Sequence, residues 1–252
     1  MSSSSKIRQS RREQFEAQRR AQAKKERGLR LLLAAGGVII LGLVVAMVWV
    51  GMDSSAPKAG SEPPNLNQEK NGIFLAPYVE GLPLLEEFTS YSCSSCKSAS
   101  LVLGSTLEQL ATNGKANVLI HPMNTQDEDK NATIAAMCAD FHGKFYQFHE
   151  QLFLEQDTKF DGTSLGATVP DTVGIWQDDL TTYKTCFDNK ATSKYAQASN
   201  NYAIKEGITK TPTFRLDGVV LSSEIINPST RSYDPDLLRE VVEAKAGAAN
   251  NG

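Results

Sequence analysis

The sequence predicts an α/β domain built on a mixed central sheet flanked by helices, preceded by one transmembrane helix. Three observations predict it. From residue 84 onward short apolar strand candidates alternate with helical periodicities, an Asp-Gly pair near the C-terminus joins two apolar runs, and one uncharged apolar run stands close to the N-terminus. At 252 residues, 40% apolar and 22% charged, the chain is neither a disulfide-stapled mini-protein nor a fully disordered polymer. Its mean hydropathy is slightly hydrophilic, which excludes a multi-pass membrane protein.

Residues 1–30 hold ten Lys or Arg and three Glu, so this stretch carries plus 7 and the overall minus 3 leaves minus 10 for the remainder. They read as a basic cytoplasmic tail. Residues 31–52 form a run of 22 residues without a charge, about 33 Å of helix against a hydrocarbon core of about 30 Å. A buried core helix would show a polar stripe, and this run shows none. It also exceeds the apolar stretch of a signal peptide, and the small residues Ser54, Ser55 and Ala56 are followed by Pro57, so an uncleaved anchor is expected. Arg19, Arg20, Lys24, Lys25, Arg27 and Arg30 crowd one flank and Asp53 begins the other, which puts the N-terminus in the cytoplasm and the rest outside. Topology and contact with anionic lipid account for the basic tail, so no nucleic-acid partner is expected. Residues 53–72 are rich in Ser, Pro, Gly and Asn and read as a flexible linker, leaving 73–252 as one domain.

Within that domain Leu84 to Phe88 is the first strand candidate. A helix follows from Ser94 to about Thr112, with Ala99, Val102, Leu103, Thr106, Leu107 and Leu110 on one face and Asn113-Gly114 as its stop. Asn117 to Ile120 is the next strand. A helical insertion spans about 127–206, with helices at 130–154 (broken near Gly143), 178–187 and 190–206. Phe214–Leu216 and Val219–Leu221 form a hairpin around Asp217-Gly218, and 234–246 is the closing helix.

The chemistry is expected at Cys93-Ser94-Ser95-Cys96, at the junction of strand and helix. Thiol exchange needs a thiolate nucleophile and a second thiol near enough to resolve the mixed disulfide, and a two-residue spacer at a helix N-terminus supplies both. Free N–H groups and the helix dipole there lower a thiol from about 8.5 into a range of roughly 3.5 to 7.5. Cys93, at the exposed end, is the expected attacking group, and Cys96, one turn in, the resolver. The same spacing serves zinc, for which Cys138, Cys186, His121, His142 and His149 are the remaining candidates. None of them forms a second pair motif, so no metal and no cofactor are expected. A purely structural disulfide is the other alternative.

Glu87-Phe88-Thr89-Ser90-Tyr91-Ser92-Cys93-Ser94-Ser95-Cys96-Lys97 resembles the active-site strand and helix of the DsbA-like thioredoxin-fold proteins. Residues 207–214, GITKTPTF, followed by Asp217-Gly218, are similar to that family's cis-proline loop, and 135–153 to its helical insertion. The resemblance covers roughly 73–246 in family order. It implies a thioredoxin-like fold with a DsbA-type insertion, Glu87 as a buried acid beneath the active site, and Thr211 and Pro212 as the substrate-binding loop. Ser94 stands where the family often has Pro, and no basic residue lies between the cysteines. Ser brings a backbone donor and a hydroxyl to the thiolate, so the departure bears on redox potential rather than reaction type. Strand alternation predicts one of Glu86 and Glu87 in solvent, and the motif match turns Glu87 inward.

Cys138 and Cys186 are expected as a structural disulfide of the insertion, two buried free thiols being the alternative. Phe141, Phe145, Tyr146, Phe148 and Phe153 read as insertion core, and His142 and His149 as packing or surface residues. Three functions compete: an extracytoplasmic oxidase that forms disulfides in exported cysteine-containing proteins and is recycled by a DsbB-like or VKOR-like membrane partner; a reductase or isomerase on the same fold; and a redox-inactive tethered binding module. The insertion, and the lack of a dimerisation domain before Ile73, favour the oxidase.

Overall fold

The computed structural model describes residues 56–156 and 160–249. The basic tail and the expected transmembrane run 31–52 lie outside the described residues, and among the described residues no helix is long and apolar enough to cross a membrane.

Five strands, β1 (Ile73–Phe74), β2 (Leu84–Thr89), β3 (Asn117–Pro122), β4 (Thr213–Leu216) and β5 (Val219–Leu221), form one sheet in the order β1-β3-β2-β4-β5. β2 and β3 are parallel and every other pair is antiparallel, so the sheet is mixed, as the sequence predicts. Helix α1 (Ser94–Thr112) connects the parallel pair. The insertion between β3 and β4 supplies α2 (Asp127–Ala139), α3 (Phe145–Leu154), α4 (Val169–Thr172), α5 (Gln177–Asp188) and α6 (Ser193–Lys205), and α7 (Pro235–Ala249) closes the chain. Four short elements are additional to the expected ones: β1, the π-helical turn Ser164–Thr168, α4 and a 3₁₀ turn at Ser223–Ile225. β1 has two residues, too few to show a period of two, and the π-helical turn Ser164–Thr168 that leads into α4 lies among Gly162, Gly166 and Pro170, which read as loop.

α1 forms because its apolar residues recur at helical spacing: Cys96, Ala99, Leu103, Leu107 and Leu110 are all buried against the sheet and α7. Each fully buried Leu contributes about 1.5–3 kcal/mol. The hairpin turn has φ 47° at Asp217 and 82° at Gly218, the paired left-handed conformation that draws the flanking strands together.

The expected linker 53–72 is corrected from residue 56 onward. The Gly60 N–H donates to the Ala191 carbonyl at 2.7 Å, and the Asn65 backbone and side-chain amides both reach the buried Asp140 carboxylate at 2.8 Å. Pro57, Pro63 and Asn67 are buried, and Asn71 accepts from His121 Nδ1 at 2.8 Å through its carbonyl. A stretch without aromatics offers no hydrophobic signal. Its asparagines hold it instead, by satisfying polar groups that the insertion buries.

Both faces of β2 are covered. Phe88 clusters with Met123, Tyr202, Ala203 and Ile208 beneath α6, while Leu85 belongs to the main core with α1. Neither Glu86 nor Glu87 therefore reaches solvent, at 3% and 1% exposed, and the expectation that alternation would expose one of them is corrected. Alternation sends them to opposite faces, but here both faces are interior.

Candidate active site

Cys93 is the N-cap of α1 and stands half-buried at the helix end, while Cys96 is fully buried one turn in. Both thiols are free. The Cys96 N–H donates to Cys93 Sγ at 3.3 Å, and Cys93 Sγ donates to the Thr211 carbonyl at 3.3 Å. Burial by itself raises the Cys93 thiol, but hydrogen bonds from the Cys96 and Thr211 side chains and from the backbone of Cys96 and Ser95 outweigh it, so its pKa lies below the usual thiol value. Cys96 moves the other way: burial, then the hydrogen bond to Cys93, pushes it up to about 12. Two thiols one helical turn apart are thus opposite in character. Ser94 and Ser95 are exposed.

Thr211 and Pro212 are joined by a cis peptide bond and lie beside Cys93, half-buried. The strand that carries them is held by charge on the far side of the sheet. Arg215, opposite Glu86 in the β2–β4 register, grips both Glu86 oxygens at 2.6 and 2.8 Å and also reaches Glu206 at 2.9 Å and the Tyr202 hydroxyl at 2.8 Å. His121 Nε2 stands 3.3 Å from Glu86 Oε1. Although burial alone would raise it, the neighbouring His121 and the Arg215 guanidinium bring the Glu86 carboxyl down to about 2.

Glu87 is the opposite case. Its Oε2 is buried without a hydrogen-bond partner among the described residues, and burial, aided by the charge of Glu150, lifts its carboxyl to about 8. The Tyr233 hydroxyl, half-buried, is raised first by burial and then by the charges of Cys96, Glu87 and Cys93. A carboxyl raised from 4.5 to about 8 contributes stability that is fully present below pH 4.5 and lost as pH rises through 8. Glu87→Gln is therefore expected to raise the unfolding midpoint by several degrees at about pH 9 and to leave it unchanged at about pH 4. Melts of the two proteins at both pH values check this, and an equal shift at both would refute it.

Two positioning residues give no sign in the motif. Asp129, fully buried at the third position of α2, accepts from the Ser92 N–H at 2.7 Å, from the Ser90 and Ser92 hydroxyls at 3.0 Å each, from Thr125 Oγ1 at 2.7 Å and from the Gln126 N–H at 2.9 Å. One carboxylate thus ties the loop before Cys93 to the start of the insertion. Gln126 and Asp129 form a capping box, and that pattern was the available signal. Gln156, beyond α3, donates through Nε2 to the Tyr91 and Cys93 carbonyls at 2.7 and 2.8 Å. Asp129→Asn replaces one acceptor oxygen with a donor facing the same donors, at an expected loss of about 1–3 kcal/mol in denaturant unfolding together with several-fold slower thiol exchange.

Away from the thiol pair, Cys138 Sγ and Cys186 Sγ are bonded to each other across α2 and α5, so neither is available as a metal ligand. Phe145, Tyr146, Phe148 and Phe153 are buried in the insertion, Phe141 is partly buried, and His149 is buried with its hydrogen bond to the Tyr91 hydroxyl at 3.0 Å.

A family model described as thioredoxin matches residues 82–233. No curated protein matches the chain. Among solved structures it is similar to the MdbA protein, a thiol-disulfide oxidoreductase from Actinomyces oris, at 17% identity and a TM-score of 0.60 over 75% of this chain and 96% of that one. BdbD from Bacillus subtilis aligns at 20% identity and a TM-score of 0.56, covering 75% of this chain and 99% of that one. DsbG from Mycobacterium tuberculosis, described as a disulfide bond oxidoreductase, aligns at 16% and 0.51 over 70% and 91%. At these identities the likeness speaks to the fold.

Proposed function

The chain belongs to the thioredoxin family, and from that membership we propose that it is a membrane-tethered thiol:disulfide oxidoreductase that forms disulfides in exported proteins. The observation that carries this reading is the asymmetry of the pair, Cys93 lowered at an accessible helix end and Cys96 raised to about 12 behind it. In the oxidised pair a client thiolate attacks Cys93 Sγ, and the Cys93–Cys96 bond breaks with its electrons on Cys96. In this reading Glu87, whose carboxyl burial lifts to about 8, gives that sulfur a proton. The client's second thiolate then attacks its own sulfur in the mixed disulfide and expels Cys93 as a thiolate. A stabilised Cys93 thiolate favours the reduced enzyme and so makes the disulfide oxidising, which supports the oxidase direction over reduction or isomerisation. A redox-inactive binding module would require Cys93 to be covered, whereas it is only partly buried and faces the Thr211 carbonyl.

Clients are unfolded or folding exported chains with cysteines, and a DsbB-like or VKOR-like membrane protein re-oxidises the pair. The apolar run 31–52 and its basic flank support a single-pass anchor in the cell membrane with an extracytoplasmic domain. Acid-quenched thiol trapping in cells tests the direction: Cys93 and Cys96 are expected to be bridged at steady state, and a reduced pair would move the assignment to reductase or isomerase. Protease added to intact cells lacking an outer membrane is expected to remove the domain, and full protection would overturn the topology.

A further inference from the structure

Gln156 stands just past α3 and reaches back to the loop that carries Cys93. Its neighbours hold it there: Leu152 and Phe153 are buried in the main core, the Phe153 ring lies 5.3 Å from that of Tyr91, and the Tyr91 hydroxyl meets His149 Nδ1 at 3.0 Å. Gln156 Nε2 carries two hydrogens and both are used, one on the Tyr91 carbonyl at 2.7 Å and one on the Cys93 carbonyl at 2.8 Å. The Cys93 carbonyl is therefore crowded. It also accepts from the Cys96 N–H at 3.0 Å and the Lys97 N–H at 3.1 Å, so three donors meet an oxygen with two lone pairs. The Cys96 N–H has a second acceptor, Cys93 Sγ at 3.3 Å, and is shared between the oxygen and the sulfur. The Thr211 carbonyl, 3.3 Å from the same sulfur, accepts a thiol proton and has none to offer a thiolate.

We propose that Gln156 is a positioning residue for the thiol pair: by saturating the Cys93 carbonyl it releases the Cys96 N–H to the Cys93 thiolate, and so sets how strongly the disulfide oxidises. The proposal rests on the thiol-exchange reading. In the last step of that reaction the bond between Cys93 Sγ and the client sulfur breaks, its electron pair stays on Cys93 Sγ, and the client leaves with its own disulfide. The charge left on Cys93 needs N–H donors. With Gln156 Nε2 and the Lys97 N–H on the Cys93 carbonyl, that oxygen stays satisfied when the Cys96 N–H turns to the sulfur. Without Gln156 the oxygen competes for the Cys96 N–H, and the thiolate loses part of a hydrogen bond. Hydrogen bonds to an ionised group are about twice as strong as neutral ones, so the loss falls on the reduced enzyme, which holds the thiolate, and little on the disulfide. The helical insertion thus acts on the redox chemistry through one side-chain amide and one backbone carbonyl.

Gln156 acts through the Cys96 N–H, so the measurement that tests it is a redox equilibrium. Full-length protein in detergent is equilibrated at neutral pH in buffers of graded reduced and oxidised glutathione, and the fraction with a Cys93–Cys96 bond is counted by alkylation in wild type, Gln156→Met and Gln156→Glu. Met keeps the length and offers no donor, and Glu keeps the shape but turns a carboxylate oxygen toward both carbonyls. Expected in Gln156→Met is an equilibrium moved roughly three- to tenfold toward the disulfide, with the rise of thiolate absorbance displaced upward by about half to one pH unit. Gln156→Glu is expected to move both further in the same direction. Melting of the oxidised forms separates this role from a structural one: variants that melt lower but keep the wild-type equilibrium and absorbance would overturn the proposal and leave the exchange reading intact. If the variants fold poorly, the Cys96 amide proton of the wild type, followed by NMR, carries the test. It is expected to move downfield as Cys93 ionises, and an amide that stays in place would overturn the proposal. A wild-type pair that does not exchange with glutathione would overturn the exchange reading itself.

Discussion

Cys96→Ala is expected to accumulate covalent complexes between Cys93 and exported cysteine-containing proteins, and Cys93→Ala almost none. Exchange passes through a mixed disulfide that only the resolving thiol can collapse, so removing that thiol stops the reaction with the client attached. The difference between the two variants follows from access and charge. Cys93 lies at the helix end with the Cys96 N–H on its sulfur, whereas Cys96 is 0% exposed and its burial holds the thiol above the usual value, so little thiolate is available there to attack a client. Non-reducing gels of affinity-purified variants show the complexes. Equal trapping by both would reverse the assignment of roles, and trapping by neither would leave a binding module.

Loss of the Cys138–Cys186 bond has the largest expected effect on stability. The bond closes a loop with a sequence separation of 48, which in the chain-entropy account constrains the unfolded state by about 4 kcal/mol. Cys138→Ala/Cys186→Ala is therefore expected to melt lower by roughly 8–16 °C for a domain of this size. The complementary variant, Cys93→Ala/Cys96→Ala, is expected to show one intramolecular disulfide by non-reducing mass spectrometry. Two alkylatable thiols in that protein would contradict the bond.

What the sequence makes legible here is mostly local. The span of α1, its stop at Asn113-Gly114 and the Asp217-Gly218 turn are each written in residues a few positions apart, because helical periodicity, caps and left-handed turns are short-range physics. The positions of Cys93 and Cys96 follow from the same short-range pattern. What escaped is held by bonds between distant residues: Asn65 to Asp140 across 75 positions, Gln156 to Cys93 across 63, Ser92 to Asp129 across 37. An asparagine in a proline-rich stretch looks like loop until the buried carboxylate that needs it is known. Glu86 escaped for a related reason: a charge on a strand reads as solvent-facing, and only the register that puts Arg215 opposite makes its burial tolerable.

The spacing of the four cysteines also has a consequence for biosynthesis. Cys93 and Cys96 leave the ribosome first, three residues apart, and Cys138 and Cys186 follow in turn. Of the three pairings that four thiols permit, the one with Cys138 bonded to Cys186 leaves Cys93 and Cys96 to each other, so the first two to emerge form one pair and the last two the other. A chain oxidised as it appears thus reaches its own connectivity without an isomerase. The Thr211 carbonyl that meets Cys93 arrives 118 positions later, so the early thiols wait for the last third of the domain before their site is complete.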